Sequence, residues 1–372
     1  MPGFGLRIRS SGSRTWIFQY KVGSKHRRLV LGKASALTPE KARDIAGDLH
    51  AKVRLGGDPS SEKAVKKAQA ANTFGELVRR YLEYQKDNVR PRSFAEIKRH
   101  LEVNAKPLHG LPVAAIDQRT IADRLNAVAK QGAITANRAR ANWSAMFGWA
   151  MREGLASANP VANTNKREEK SRDRVLSDPE LRTVWSTLED GDYGAILKLL
   201  MLTGQRANEM AGLRWSEVNF DKGTISLPGE RTKNGRAHDV PMSDTVRSIL
   251  EARPRTDIRD LIFGKGKGPF AAWSKAKKGL DERIAEAGKS LPHWTPHDLR
   301  RTVATRMADL GVQPHVIEAV LNHVSGHKAG VGGIYNRSTY DREKRDAVNL
   351  WAEHLLAVVE GCKPVVVPLK RA

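Results

Sequence analysis

The hydrophobic period of this chain changes abruptly, and that change limits the fold more than any other feature. Residues 6–33, LRIRSSGSRTWIFQYKVGSKHRRLVLGK, run in short stretches rich in Ile, Val, Trp, Phe and Tyr, punctuated by Ser-Gly and Gly-Ser turns, the pattern of a small antiparallel sheet. From Thr73 to about Asn159 the apolar residues recur instead at helical spacing, as in TFGELVRRYLEYQ, TIADRLNAVAK and TANRARANWSAMFGWAMREG. Between them SSEKAVKKAQAAN (60–72) is Lys/Ala-rich with no packing stripe, and reads as a linker, partly helical. One sheet or one bundle cannot accommodate both periods, and 372 residues exceed what a single core organises. The expected fold is multidomain: a small α+β N-terminal domain, an all-α second domain, and a mainly α (α+β) third.

Local signals set the boundaries. In LTPEKARDIAGDLHAKVRLGGDP, Thr38 suits an N-cap, Pro39 the first helical position, and Gly56-Gly57 the stop before Pro59, which closes a first domain over 1–58 and leaves 59–72 as linker. ANPVANTNKREEKSRDR ends a helical domain over 73–165, whose Trp143, Met146 and Phe147 form a core stripe rather than a base-stacking platform. SDPELRTVW opens the third, over 172–345, with Ser177 and Glu180 as a capping box. Within it AILKLLMLTG is a buried helix ending at Gly204, while GTISLP and GRAHDVPM are short strands. The end, 346–372, carries the stripe Val348, Trp351, Leu355 and Leu356, which either closes on its own domain or docks onto a neighbour.

Charge narrows the partners. The chain has 64 Lys and Arg against 41 Asp and Glu, a formal net charge of +23. An excess of this size points to a polyanion, most simply nucleic-acid phosphates, although a ribosomal or membrane-surface protein would share the number. The single cysteine, Cys362, permits no internal disulfide and no cysteine-based zinc site. No apolar run reaches the length of a membrane helix, so the expectation is a soluble, cytoplasmic protein with no membrane partner.

Four stretches carry chemistry. In TGQRANEMAGLRW, Arg206 stands where one helix stops and an amphipathic one starts, near backbone N–H groups that favour an anion; it also lies three residues from Glu209, the spacing of a surface salt bridge. In RTKNGRAHDVPM, Asn234-Gly235 is a hairpin signal that puts Lys233 at the tip of a two-stranded finger, either reaching a ligand or simply solvated. In HWTPHDLRRTVATRM, Thr295 as N-cap, Pro296 at N1 and Asp298 at N3 start a helix, with His297 and Arg300 one turn apart on one side; both can meet one phosphate, or both can be solvated. Finally, in LNHVSGHKAGVGGIYNRSTYDREKRD, His323 follows an apolar helix and a glycine-rich strap leads to Tyr335. Gly326 and the loop character spoil a metal pair between His323 and His327, and no carboxylate cluster completes one.

Arg206, Lys233, His297 with Arg300, His323 and Tyr335, in this order behind a helical domain, resemble the tyrosine recombinases, the phage integrase family. The basic first domain is similar to the arm-type DNA-binding domain of prophage and genomic-island integrases, and 73–165 to the family's core-binding domain. The chain begins MPGFGLRIRS, later than family members usually do, which implies either a missing first strand or a trimmed start. It also has Asn322 where the family often has Gly. The resemblance implies a site-specific recombinase that integrates or excises a mobile element without a cofactor or metal. Tyr335 would attack the scissile phosphodiester to give a 3′-phosphotyrosyl bond, Arg206 and Arg300 would clamp the non-bridging oxygens, and Lys233 would protonate the leaving 5′-oxygen. His297 and His323 would assist proton transfer or orient the phosphate. It further implies a homotetramer on two double-stranded DNAs, accessory DNA-bending or directionality proteins, and a nucleoid-associated bacterial protein.

Tyr340 is the second candidate nucleophile, held on a new helix that Ser338 caps. Lys25, Arg27 and Arg28 are expected to approach arm DNA and Arg138 core DNA. A nicking-closing topoisomerase would share the chemistry but have no use for a second DNA-binding domain. The alternative from another class is a DNA-binding regulator descended from an integrase, without cleavage; a two-metal nuclease lacks its carboxylates.

Overall fold

The computed structural model describes residues 1–170, 172–256, 258–323 and 338–362. The chain forms two compact units, Met1–Lys170 and Ser171–Ala372.

The first unit opens with an antiparallel sheet of β1 (Phe4–Ile8), β2 (Arg14–Val22) and β3 (Lys25–Lys33), in that order, with a bulge at Trp16/Ile17. The stretch MPGFGLRIRS therefore supplies an edge strand of its own. Phe18 and Tyr20 face α1 (Pro39–Arg54) and meet Ala46, and Thr38 Oγ1 accepts the Lys41 N–H at 3.4 Å, the expected cap. Residues 59–71 are helical throughout, as α2 (Pro59–Ala71). The Ala/Lys composition favours a helix once its start is satisfied, and Asp58 does so by accepting the Ser60 and Ser61 N–H groups at 3.2 and 3.3 Å. Then come α3 (Phe74–Lys86), α4 (Pro91–Arg99), which runs on into one π-helical turn at His100–Asn104, α5 (Gln118–Ala129) and α6 (Ala133–Arg152). They enclose a core that includes Phe74, Leu101, Ile121, Trp143, Met146 and Phe147, so the aromatic stripe of α6 is indeed interior.

The second unit contains α7 (Asp178–Thr187), α8 (Asp192–Thr203), the short α9 (Ala207–Ala211), a sheet of β4 (Val218–Asn219), β5 (Thr224–Leu227) and β6 (His238–Pro241), then α10 (Asp244–Glu251), α11 (Trp273–Glu286), α12 (Pro296–Asp309), α13 (Pro314–Val320) and α14 (Asp341–Glu360). Its centre is α8, buried from Ile196 to Thr203 apart from Lys198. Val348, Trp351 and Leu355 of α14 join the same core, and the Trp351 indole N–H donates to Met201 O at 2.7 Å, so this helix closes on its own unit. Helices around one small antiparallel sheet make the mainly α (α+β) architecture. No helix among the described residues is long and apolar enough to cross a membrane.

Candidate active site

α8 must end so that the chain can turn into α9, and Gly204 makes the turn at φ +65°. A Cβ there would lie 2.8 Å from Leu321 Cδ2 and 2.9 Å from Val303 Cγ1, so only glycine lets α12 and the end of α13 approach. Into that junction projects Arg300. It is 8 % exposed, and its guanidinium donates to Gly204 O at 3.0 Å and Leu321 O at 2.6 Å. The arginine is thus fixed between two helix C-termini, whose unpaired carbonyls are natural acceptors for a cation.

Arg206 lies beside it. Its Nη1 meets Glu209 Oε1 at 3.0 Å and its Nη2 donates to Asn322 O at 3.3 Å. The pair with Glu209 has the expected spacing but is not a surface pair, since Glu209 is 4 % exposed and also accepts the Lys233 backbone N–H at 3.3 Å. α9 is only five residues long, too short for its N-terminus to draw an anion; the side chains supply the positive field instead. Arg231, reaching under this loop, donates to Glu209 O at 2.7 Å and Glu217 Oε2 at 2.8 Å.

Lys233 is not at the tip of a two-residue hairpin. Residues 228–237 separate β5 from β6, and Asn234 spends its amide on tertiary contacts that no isolated turn would make. Its Nδ2 donates to Asn322 O at 3.0 Å and Asn322 Oδ1 at 2.9 Å. Lys233 itself is exposed, as is His297 at the start of α12.

α12 begins as expected, with Asp298 accepting the Thr295 N–H at 2.8 Å and hydroxyl at 2.9 Å. Asp298 is fully buried and also pairs with Arg301 at 2.7 Å and Arg172 at 3.0 Å. His297 and Arg300 do not share a fate. Arg300 turns inward, whereas the His297 imidazole is held below its ordinary pKa by desolvation, then by Arg301 and Arg300, with Lys233 adding to the effect. Burial, then Arg206, lower the Arg300 guanidinium to about 10. His297 therefore feels Arg300 and Lys233, and Arg300 feels Arg206, with the buried Asp298 opposing the first shift and the buried Glu209 the second.

His323 is exposed directly after α13, with its N–H on Glu318 O at 2.9 Å. Asn322 before it has φ +48°, which explains a preference for glycine there, and asparagine is the side chain that best tolerates it. Tyr335 and His327 lie outside the described residues. Tyr340 does not start on the helix body: it is the N-cap residue of α14 at φ +51°, and its ring packs on His315 at 5.1 Å between centroids. Ser338 is not that helix's cap; its Oγ accepts the Tyr340 N–H at 3.3 Å.

Sequence reasoning missed Gln205, Asn234 and His238, whose side chains reach Val320 O or Asn322, and the burial of Glu209 and Asp298. His238 alone had a usable signal, an inward position in the alternation of β6. Of the residues expected at DNA, Lys25 and Arg28 are exposed on β3, Arg27 turns to Asp58 at 3.6 Å, and Arg138 is exposed on α6. Among the described residues no group of three or more His, Cys, Asp and Glu could hold a metal ion.

The chain is similar to known proteins over most of its length. Residues 175–342 match the Phage integrase family, 74–167 the Phage integrase central domain, and 1–66 an Arm DNA-binding domain. The Prophage integrase IntA of Escherichia coli is 28 % identical over 375 residues, covering 96 % of this chain and 90 % of that protein. The fold is similar to that of a lambda integrase dimer bound to a COC′ core site (TM-score 0.59, 19 % identity, 92 % of this chain and 96 % of that one). It is likewise similar to that of a lambda integrase tetramer bound to a Holliday junction (TM-score 0.58, 20 % identity, 87 % and 96 %).

Proposed function

The chain belongs to the phage integrase family of tyrosine recombinases, with an arm-type N-terminal domain, and from that premise we propose how its residues divide the work of a site-specific recombinase. Tyr335 is the nucleophile. Its phenolic oxygen bonds to the scissile phosphorus as the bond to the 5′-oxygen breaks, the phenolic proton passes to His297, and Lys233 gives a proton to the leaving oxygen. Arg206 and Arg300 hold the non-bridging oxygens as charge grows on them, and His323 orients the phosphate from the end of α13. The ester energy is kept in the 3′-phosphotyrosyl bond, so a partner strand's 5′-hydroxyl can reverse the step without a cofactor.

The observation that carries this reading is geometric: Arg206 and Arg300 donate to the adjacent carbonyls of Asn322 and Leu321, and the Lys233 backbone N–H shares the buried Glu209 with the Arg206 side chain. The His297 imidazole is lowered by desolvation, then by Arg301 and Arg300, with Asp298 opposing, and Arg300 is lowered by burial, then by Arg206, with Glu209 opposing. Like charges packed this closely cost stability unless an anion is to be received. The lowered pKa of His297 leaves its ring neutral near pH 7, the state a proton acceptor needs.

Exchange of both strands of two duplexes requires four cuts, and hence a homotetramer on double-stranded DNA, in the bacterial cytoplasm on the nucleoid, assisted by DNA-bending or directionality proteins. Lys25 and Arg28 contact arm DNA and Arg138 core DNA. The test is a suicide substrate, a nicked duplex with the attachment site, in the presence of a chelator. A denaturant-resistant adduct that disappears with Tyr335→Phe and persists with Tyr340→Phe supports the assignment. Binding without any wild-type adduct would leave a DNA-binding regulator.

A further inference from the structure

Three successive carbonyls at the C-terminal end of α13 are each taken by side chains from other elements. Val320 O accepts from Gln205 Nε2 at 2.8 Å and lies 3.0 Å from His238 Nε2. Leu321 O accepts from Arg300 at 2.6 Å, and Asn322 O from Arg206 at 3.3 Å and Asn234 at 3.0 Å. The helix end is therefore a common anchor for both clamp arginines and for the Lys233 loop.

Asn322 adds something that the backbone alone does not supply. Its amide oxygen accepts Asn234 Nδ2 at 2.9 Å, while its Nδ2 faces Asn234 Oδ1 and Arg236 O, each at 3.4 Å. A glycine would satisfy φ +48° with less strain but would offer the loop no amide. Lys233 depends on that loop. Its ammonium pairs with none of the described residues, and its four-carbon stem is free to rotate, so its direction is set by where the backbone is held. The backbone is held on one side by the Lys233 N–H to Glu209 and on the other by Asn234 and Arg236 to Asn322.

We propose that Asn234 and Asn322 are a positioning pair that presents the Lys233 ammonium to the leaving 5′-oxygen, by tying the 228–237 loop to the helix end whose carbonyls also anchor Arg206 and Arg300. The pair touches neither phosphate nor leaving group; it acts through Lys233. This rests on the assignment of Lys233 as the leaving-group acid.

The experiment is single-turnover adduct formation by the full chain on two nicked duplexes, one with the ordinary scissile phosphodiester and one with sulfur in place of the bridging 5′-oxygen. A thiolate departs without a proton, so loss of an acid, or of its positioning, is repaired on the sulfur substrate. Asn322→Gly keeps the left-handed backbone, and Asn234→Ala tests the other amide. Each should slow the ordinary substrate by roughly tenfold or more, the scale of a misplaced catalytic group, and leave the sulfur substrate near the wild-type rate. Combined with Lys233→Ala, neither should slow the ordinary substrate further. Equal slowing on both substrates, or no slowing on either, overturns the pairing while Lys233→Ala is still rescued by sulfur. If Lys233→Ala is itself not rescued, the assignment of Lys233 fails, and the pair's role with it.

Discussion

At Gly204 one residue serves both backbone and site. Its left-handed φ excludes most side chains, a Cβ would collide with Leu321 and Val303, and its carbonyl holds Arg300. Gly204→Ala should cost about 1–3 kcal/mol from left-handed strain and overpacking. Because the displaced carbonyl anchors Arg300, proposed above to clamp the phosphate, single-turnover cleavage at saturating DNA should fall more steeply than the stability, which denaturant melts and adduct kinetics together would reveal. His297 makes a second prediction. Its pKa lies below the ordinary 6.5 through desolvation and the neighbouring Arg301 and Arg300. Cleavage that needs a neutral ring should fall off on the acid side with its midpoint below the ordinary histidine value, and Arg301→Ala should move that acid limb upward. A limb that stays in place would remove His297 from the proton path. Single residues were legible in the sequence where they sit in punctuated motifs, as Arg206, Arg300 and the Thr295/Asp298 cap do. The burial of Glu209 was not, because three-residue spacing specifies the pair and says nothing of what packs over it.

Elements were legible where period and caps agreed, and misread where a local motif was put to tertiary use. α1 and α12 start at the expected caps. Asn234-Gly235 failed as a hairpin turn because Asn234 is engaged by Asn322, a contact 88 residues away in sequence. β6 carries a consequence of the same kind. His238 is buried against Val320 O, and desolvation, then Lys344, push its pKa down to about 4, with Arg300 also disfavouring the proton and Asp239 favouring it. The unfolded chain takes up that proton near 6.5 and the folded one does not, so stability is complete above pH 6.5 and drains as the pH falls to about 4. The full loss is about 3 kcal/mol by linkage. His238→Gln can still donate to Val320 O but cannot titrate, and denaturant melts of the two proteins between pH 7 and 4 should diverge by that order. Parallel curves would show that the histidine takes up its proton in the fold at the same pH as in the unfolded chain.

Across the whole molecule, the charge is unevenly compensated. Residues 1–170 hold 32 Lys and Arg against 15 Asp and Glu, and 171–372 hold 32 against 26, so the first unit carries +17 of the formal +23. Salt-dependent affinity, which comes from neutralised phosphates and ignores sequence, should therefore reside mainly in the first unit. Composition made the total legible but not its availability, because several of these cations are already spent on the protein. Arg27 turns to Asp58, and Arg140 donates to Thr164 O and Oγ1 and to Ala162 O. Arg28, one residue from Arg27 and hence on the other face of β3, is exposed, as is Arg138. Arg28→Ala and Arg138→Ala should each reduce the slope of log K against log salt by about 0.9, the contribution of one phosphate contact. Arg140→Ala should leave the slope unchanged and lower the melting temperature, since it removes three hydrogen bonds that tie α6 to residues 162–164. Fluorescence titrations from 50 to 200 mM salt would separate the two groups. A slope change for Arg140→Ala as large as that for Arg138→Ala would mean that its guanidinium leaves those carbonyls for DNA, and that α6 is held on the rest of its unit by the apolar core alone.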